Sequence, residues 1–203
     1  MQKTPPFFFE LKKYKNMSCE ILIGRAETCK DSVGGLKNVY FINTVPVVTF
    51  DTTPVEATDV ILSATGVTQL FKFELKANEN TYVETIVSDR NNGTTVFQQA
   101  LNLKLKKQDA TTHKYLKLLA YGLVRVVVEN NAGQYFLAGL DRGLDVTGGT
   151  ITSGGALVDH NGYTLTLSGE ERMPAPFLNC TSESTLATLF NSATVISDNS
   201  LVD

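Results

Sequence analysis

The 203-residue chain is long enough to bury a sizeable core in one all-β domain. It is 42% hydrophobic but only 19% charged, with a formal net charge of −3. A surface so poor in charge must be rich in Thr, Ser and Asn, and the weak acidity excludes the basic footprint of a tight nucleic-acid binder. Cys19, Cys29 and Cys180 are an odd number at irregular spacing. They argue against a disulfide framework, with a Cys19–Cys29 clip as the one local pairing in reach, and fit synthesis in a reducing compartment. No run approaches a membrane span, and the N-terminus has no signal-peptide cleavage pattern.

Residues 1–17 read as an extension: Pro5 and Pro6 prevent a helix, and Phe7 to Phe9 form an apolar block. Two readings stay open, an arm ordered against a neighbouring subunit and a solvated tail. Asp31 to Gly35 is a turn. Leu36 to Asn43 then places Val39 and Phe41 on one face and Tyr40 and Ile42 on the other, so both faces are apolar and the strand is expected to be central. Val45 to Phe50, interrupted by Pro46, is an edge-like or irregular strand. After a turn at Pro54 come strands at Val60 to Ala64 and Thr68 to Lys76. In the second, Phe71, Phe73 and Leu75 face one way and Leu70, Lys72 and Glu74 the other.

A long hairpin follows, with arms at Tyr82 to Arg90 and Thr95 to Lys106. Its turn is Asn91-Asn92-Gly93, residues that accept the left-handed conformations hairpin loops demand. On the second arm Phe97, Leu101, Leu103 and Leu105 oppose Gln98, Asn102, Lys104 and Lys106, the period-two signature of a half-buried strand. The first arm is more mixed, with Tyr82, Glu84, Ile86 and Ser88 opposite Val83, Thr85 and Val87. Asp109 offers an N-cap for a helix over Ala110 to Tyr121, with an apolar stripe of Tyr115, Leu116, Leu118 and Leu119 and Gly122 closing it. A second hairpin pairs Leu123 to Glu129 with Gln134 to Leu140. Asp141 to Gly162, with six glycines, reads as loop. Tyr163 to Ser168 is a strand, and residues 179–203 are a tail with a short helix near Ser184 to Asn191.

Chemistry-bearing patterns are sparse. His113 and His160 lack the further ligands that zinc requires, so no metal and no cofactor is expected. Ser168 lacks the strand–elbow–helix setting of a nucleophile, and Cys29 beside Lys30 reads as a structural thiol. Glu170 and Glu171 are adjacent in a strand and point to opposite faces, a poor arrangement for acid–base work. Gly148-Gly149 and Gly154-Gly155 match no phosphate-binding fingerprint, and are read as permitting close approach between subunits or rings. Lys104, Lys106 and Lys107 read as a solvated strand end with interfacial salt bridges. No catalytic residue is expected.

Two segments resemble the tail tube proteins of tailed bacteriophages. The first is GRAETCKDSVGGLKNVYFIN, Gly24 to Asn43. The second runs from Val124 to Leu178: an aromatic hairpin, a Gly-Leu corner at Gly143-Leu144, the Asp159 to Gly162 turn, Tyr-Thr-Leu-Thr-Leu, and a Pro-Ala-Pro exit. The resemblance covers most of residues 18–180; the extension and the tail lie outside it. It implies a mainly β fold, a β-sandwich or barrel with long hairpins and one packed helix, over 18–178. Copies would assemble into stacked hexameric rings around a shared β-barrel lumen, in the virion tail, after assembly in the host bacterial cytoplasm. The implied partners are further copies, other tail proteins and double-stranded DNA in passage. Candidate lumen-facing or inter-subunit residues are Glu84, Ser88, Gln98, Asn102 and Lys104. Gly148, Gly149, Gly154 and Gly155 are candidates for an inter-subunit or inter-ring loop. The rival readings are a single-ring head–tail connector or baseplate initiator of the same fold, and a carbohydrate-binding module, which the absence of Trp disfavours.

Overall fold

A computed structural model describes residues 24–27, 29–30, 32–51, 58–76 and 78–197. The extension, Cys19, the turn at Pro54 and the last residues of the tail lie outside this set. Contacts divide the chain into residues 1–31 and 32–203; the described part of the first unit has no regular secondary structure, and the strands and helices of the described residues lie in the second.

Among the described residues, eleven strands and two helices follow one another as β1 (Leu36–Ile42), β2 (Val47–Phe50), β3 (Ile61–Thr65), β4 (Gln69–Glu74), β5 (Thr81–Asp89), β6 (Thr94–Lys106), α1 (Ala110–Leu119), β7 (Arg125–Asn130), β8 (Tyr135–Ala138), β9 (Asp145–Thr152), β10 (Gly162–Glu171), α2 (Glu183–Leu189) and β11 (Thr194–Ile196). The fold is mainly β, as expected. Three sheets form: β11-β4-β1-β7-β8, β5-β6-β10-β9, and the two-stranded ribbon β2-β3. No closed barrel occurs among the described residues.

The five-stranded sheet is covered on both faces. Tyr40 and Ile42 of β1, Val127 of β7 and Leu137 of β8 pack with the ribbon, with Leu186 and Leu189 of α2 and with its C-cap Phe190. The alternate residues Val39, Phe41, Val126, Val128 and Phe136 pack with Leu101, Leu103 and Leu105 of β6 and Tyr163 and Leu167 of β10. β1 pairs with β4 on one side and β7 on the other. Its two apolar faces thus mark a central strand, as the pattern predicted. The four-stranded sheet buries only one face.

Three expectations need correction. The glycine-rich stretch contains β9, paired antiparallel with β10; Gly148 and Gly149 sit within a strand, where their lack of side chains hides the period-two pattern. The stripe on α1 is narrower than predicted. Leu116 is buried and Leu119 packs beside it, whereas Tyr115 and Leu118 face outward. Finally, the tail, expected to fray after its helix, carries a further strand there. Ser182 caps α2 by accepting from the Thr185 N–H, and the chain continues into β11, parallel to β4.

Candidate assembly surface

The four-stranded sheet presents a wet face whose make-up follows from its register. Antiparallel pairing sets Thr81 beside Asn102, Thr85 beside Gln98, Asn102 beside Thr166, and Lys104 beside Thr164. Thr150 of β9 continues the last rung. Side chains on this face satisfy one another across the strands. Asn102 Nδ2 donates to Thr81 Oγ1 (3.3 Å) and its Oδ1 accepts from Thr166 Oγ1 (2.9 Å). Thr150 and Thr164 hydroxyls lie 2.6 Å apart, and Ser168 Oγ donates to Thr147 Oγ1 at 3.1 Å. Gln98 Nε2 donates to Glu170 Oε1 at 3.1 Å.

One cation of the face, Lys104, is neutralised. Lys104 Nζ lies 2.7 Å from both Glu79 carboxylate oxygens, and that bond and charge hold the Glu79 carboxyl below its usual value. The result is a face of hydroxyls and amides over β6, β10 and β9, with exposed Val83 and Val87 on its β5 side and Lys106 and Glu170 as charges without an ion pair among the described residues.

Gln98, Asn102 and Lys104 therefore share the wet face, as the sequence indicated. Glu84 and Ser88 do not. The hairpin turn, held by Asp89 Oδ1 accepting from the Asn91 N–H at 2.8 Å, pairs Glu84 with Gln99 and Ser88 with Thr95 on the opposite face. In a strand of period two, a register that differs by one residue exchanges the faces, and the mixed first arm carried too weak a pattern to reveal it. Ser88 Oγ meets Thr95 Oγ1 at 2.9 Å near the turn.

Glu84 instead enters a partly buried polar network that the sequence did not reveal. Its Oε1 accepts from Gln99 Nε2 and from the Ala175 N–H, both at 3.0 Å. Buried Gln99 accepts in turn from the Gly139 N–H at 2.8 Å. Glu171 lies nearby on the same side of β10; its carboxylate accepts backbone N–H groups from Asp141 (3.1 Å), Arg142 (2.8 Å) and Gly143 (3.2 Å). These bonds fix the corner that leads into β9. Glu170 faces the other way, as the strand period requires. A glutamine inside an apolar run at Phe97 to Leu105 was the one available sign.

Both margins of the sheet, β5 and β9, are unpaired on their outer sides among the described residues. Gly149 lets β9 lie close to β10: a Cβ there would stand 2.5 Å from the Thr164 carbonyl oxygen. Gly154 and Gly155 lie beyond β9 in a loop closed by Asp159, whose Oδ2 accepts from the Gly155 N–H (2.8 Å) and the Ala156 N–H (2.7 Å).

A separate cleft of about 460 Å³ lies over the five-stranded sheet, lined by Lys37, Lys72, Glu129, Tyr135 and Glu183 among others. Its groups are tied to one another. Buried Glu129 accepts from Lys37 (2.7 Å), Asn38 (2.6 Å) and Tyr40 (3.2 Å), and Lys72 pairs with Glu183 at 2.8 Å. Burial raises the Glu129 carboxyl, but the hydrogen bonds from Lys37, Asn38 and Tyr135 outweigh it and the net shift is downward. Burial, with the Glu129 charge beside it, pushes the Cys180 thiol up to about 12. The arrangement clamps β1, β4, β7 and α2 together and offers neither a thiolate nor a free base.

No group of three or more His, Cys, Asp or Glu that could hold a metal ion occurs among the described residues. No helix there is long and apolar enough to cross a membrane. Comparison with known proteins finds no matching family model, no curated relative and no similar solved structure.

Proposed function

We propose that this chain is a structural subunit of a bacteriophage tail, and that copies of it form stacked rings with a common bore for DNA. In this reading each subunit is a β-sandwich of its two larger sheets. The four-stranded sheets of neighbouring copies join edge to edge, hexamerically if the family pattern holds, and close into a barrel. The observation that carries the proposal is the hydroxyl- and amide-rich face of β6-β10-β9, in a sheet whose two margins, β5 and β9, are unpaired on their outer sides among the described residues.

Those two strands run in opposite directions, because the order β5-β6-β10-β9 alternates throughout. Setting β9 of one copy against β5 of the next continues the antiparallel ladder without interruption. Closure then satisfies backbone donors and acceptors that would otherwise be an aggregation hazard. A face with little net charge also suits a conduit: every phosphate neutralised by Lys or Arg would add affinity and slow passage. The subunit works by geometry, with no catalysis and no cofactor, in the virion tail and in contact with other tail proteins.

Negative-stain electron microscopy of the purified protein tests this. Open-ended tubes support the proposal, and discrete single rings favour a connector or baseplate initiator. A monomer at every concentration, by analytical ultracentrifugation, overturns it.

A further inference from the structure

We propose that the loop at residues 153–161 is a docking arm whose Leu157–Val158 tip seats on the outward apolar surface of α1 in a neighbouring copy. This inference rests on the ring reading above and names the contact beside the barrel edge.

Leu157 and Val158 are fully exposed at the end of a loop that is nevertheless fixed in shape. The Asp159 carboxylate closes it on two backbone N–H groups, and Gly154 takes a positive φ of 72°, where a Cβ would stand 2.7 Å from Asp159 Cβ. An apolar tip held rigid in advance loses little conformational entropy on docking. The matching surface is on the same chain. Tyr115 and Leu118, three residues apart on α1, are exposed together with Tyr121 and Leu123 just beyond it.

Knob and surface arise at the same end of the sheet. The Lys107 N–H donates to the Asn161 carbonyl at 2.8 Å, and Tyr163 Oη donates to the Asp109 carbonyl at 3.0 Å, tying the foot of the loop to the start of α1. The loop follows β9, a margin of the sheet. A copy joined to that margin through its own β5 brings its β6–α1 connection next to it, since β6 adjoins β5.

Charge agrees. Residues 143–169 carry Asp145 and Asp159 and no Lys or Arg, whereas residues 106–117 carry four lysines and only the capping Asp109 as an acid. Lys107, Lys114 and Lys117 form no ion pair among the described residues. Two unlike patches, each without a partner in its own subunit, make a heterologous contact of the kind that builds rings.

Two sets of copies test it, one with Val158→Cys and one with Leu118→Cys, both carrying Cys19→Ser, Cys29→Ser and Cys180→Ala. On mixing and mild oxidation, a cross-linked dimer should form in the mixture and in neither set alone. Leu157→Ser with Val158→Ser in the otherwise natural chain should raise the concentration needed for assembly at least tenfold. Assembly at the natural concentration by that double variant overturns the docking contact while leaving the ring reading intact. If it does so and also loses flotation with phosphatidylcholine vesicles shown by the natural chain, the tip belongs to a lipid surface instead. Failure of the unsubstituted chain to assemble at all removes the ring reading itself, and the contact with it.

Discussion

Replacing Glu171 should reveal how the corner before β9 is held. The residue is 2% exposed; its carboxylate forms no ion pair among the described residues and accepts three successive backbone N–H groups. Glu171→Ala leaves those three donors without their acceptor, the Gly143 N–H in a buried space and those of Asp141 and Arg142 at its partly buried rim. At about 1–3 kcal/mol for each unsatisfied group, with entering water relieving part of it, the loss comes to about 4 kcal/mol. In a domain of this size that lowers Tm by about 8–16 °C. Glu171→Gln keeps one acceptor oxygen, enough for Arg142 and Gly143, and sets an amide against the Asp141 N–H, at a cost of about 1–2 kcal/mol. The pH dependence separates charge from shape. Burial pushes the Glu171 carboxyl above its ordinary value, against the lowering effect of the three N–H groups. Because the native chain then holds a proton that the unfolded chain has released, its contribution to stability is full below the unfolded value. That contribution is lost as pH rises through the higher native one. The natural chain should therefore lose stability relative to Glu171→Gln as pH climbs from about 4 through that raised value. Urea unfolding followed by circular dichroism, at a series of pH values and at concentrations below assembly, measures both effects. A Glu171→Ala variant within about 1 kcal/mol of the natural chain would refute the role given to the three N–H bonds.

Removing the cap of α1 by Asp109→Ala abolishes hydrogen bonds from the Thr111 and Thr112 N–H groups (2.7 and 2.9 Å) and should cost about 1 kcal/mol in the same assay. Burial raises the Asp109 carboxyl, but the bonds from Thr112 and Thr111 outweigh it and the net shift is downward. Its contribution is thus present above the unfolded value and fades as pH falls through the depressed native one, so the two chains should converge in acid. Gly149→Val should detach β9, because a Cβ there stands 2.5 Å from the Thr164 carbonyl oxygen. Gly148→Ala, whose Cβ meets nothing within 4 Å, should be silent. Hydrogen exchange across Val146 to Ile151 and electron microscopy distinguish the pair; equal behaviour would sink the close-approach argument. If copies assemble as proposed, Thr85→Lys with Thr166→Lys should make the assemblies retain double-stranded DNA in low salt and release it steeply as salt rises, while unsubstituted assemblies retain none in a filter assay. Indifference of DNA to these lysines would refute the proposal that this face lines a bore.

Much of the fold was legible where one face of an element is buried and the other is wet. Strand β6 announced itself through Phe97, Leu101, Leu103 and Leu105, and β1 through two apolar faces. The Asn91-Asn92-Gly93 turn was equally plain. Glycine concealed β9, since residues without side chains write no alternation. The breadth of the stripe on α1 was overread because Tyr115 and Leu118 have the spacing of a packed face but look outward. At the candidate surface, Gln98, Asn102 and Lys104 could be grouped from their own strand. The misplacement of Glu84 and Ser88 is of another kind: their strand alternates weakly, and only the pairing with β6, a long-range property, says which face they occupy.

Unlike edges have a genetic corollary. In the proposed ring, a subunit damaged along β9 would still offer an intact β5, be recruited by a healthy neighbour and then stop the chain of additions. Growth of that kind is vulnerable to poisoning: a minor fraction of such molecules, co-expressed with normal ones, should spoil far more assemblies than their share of the pool.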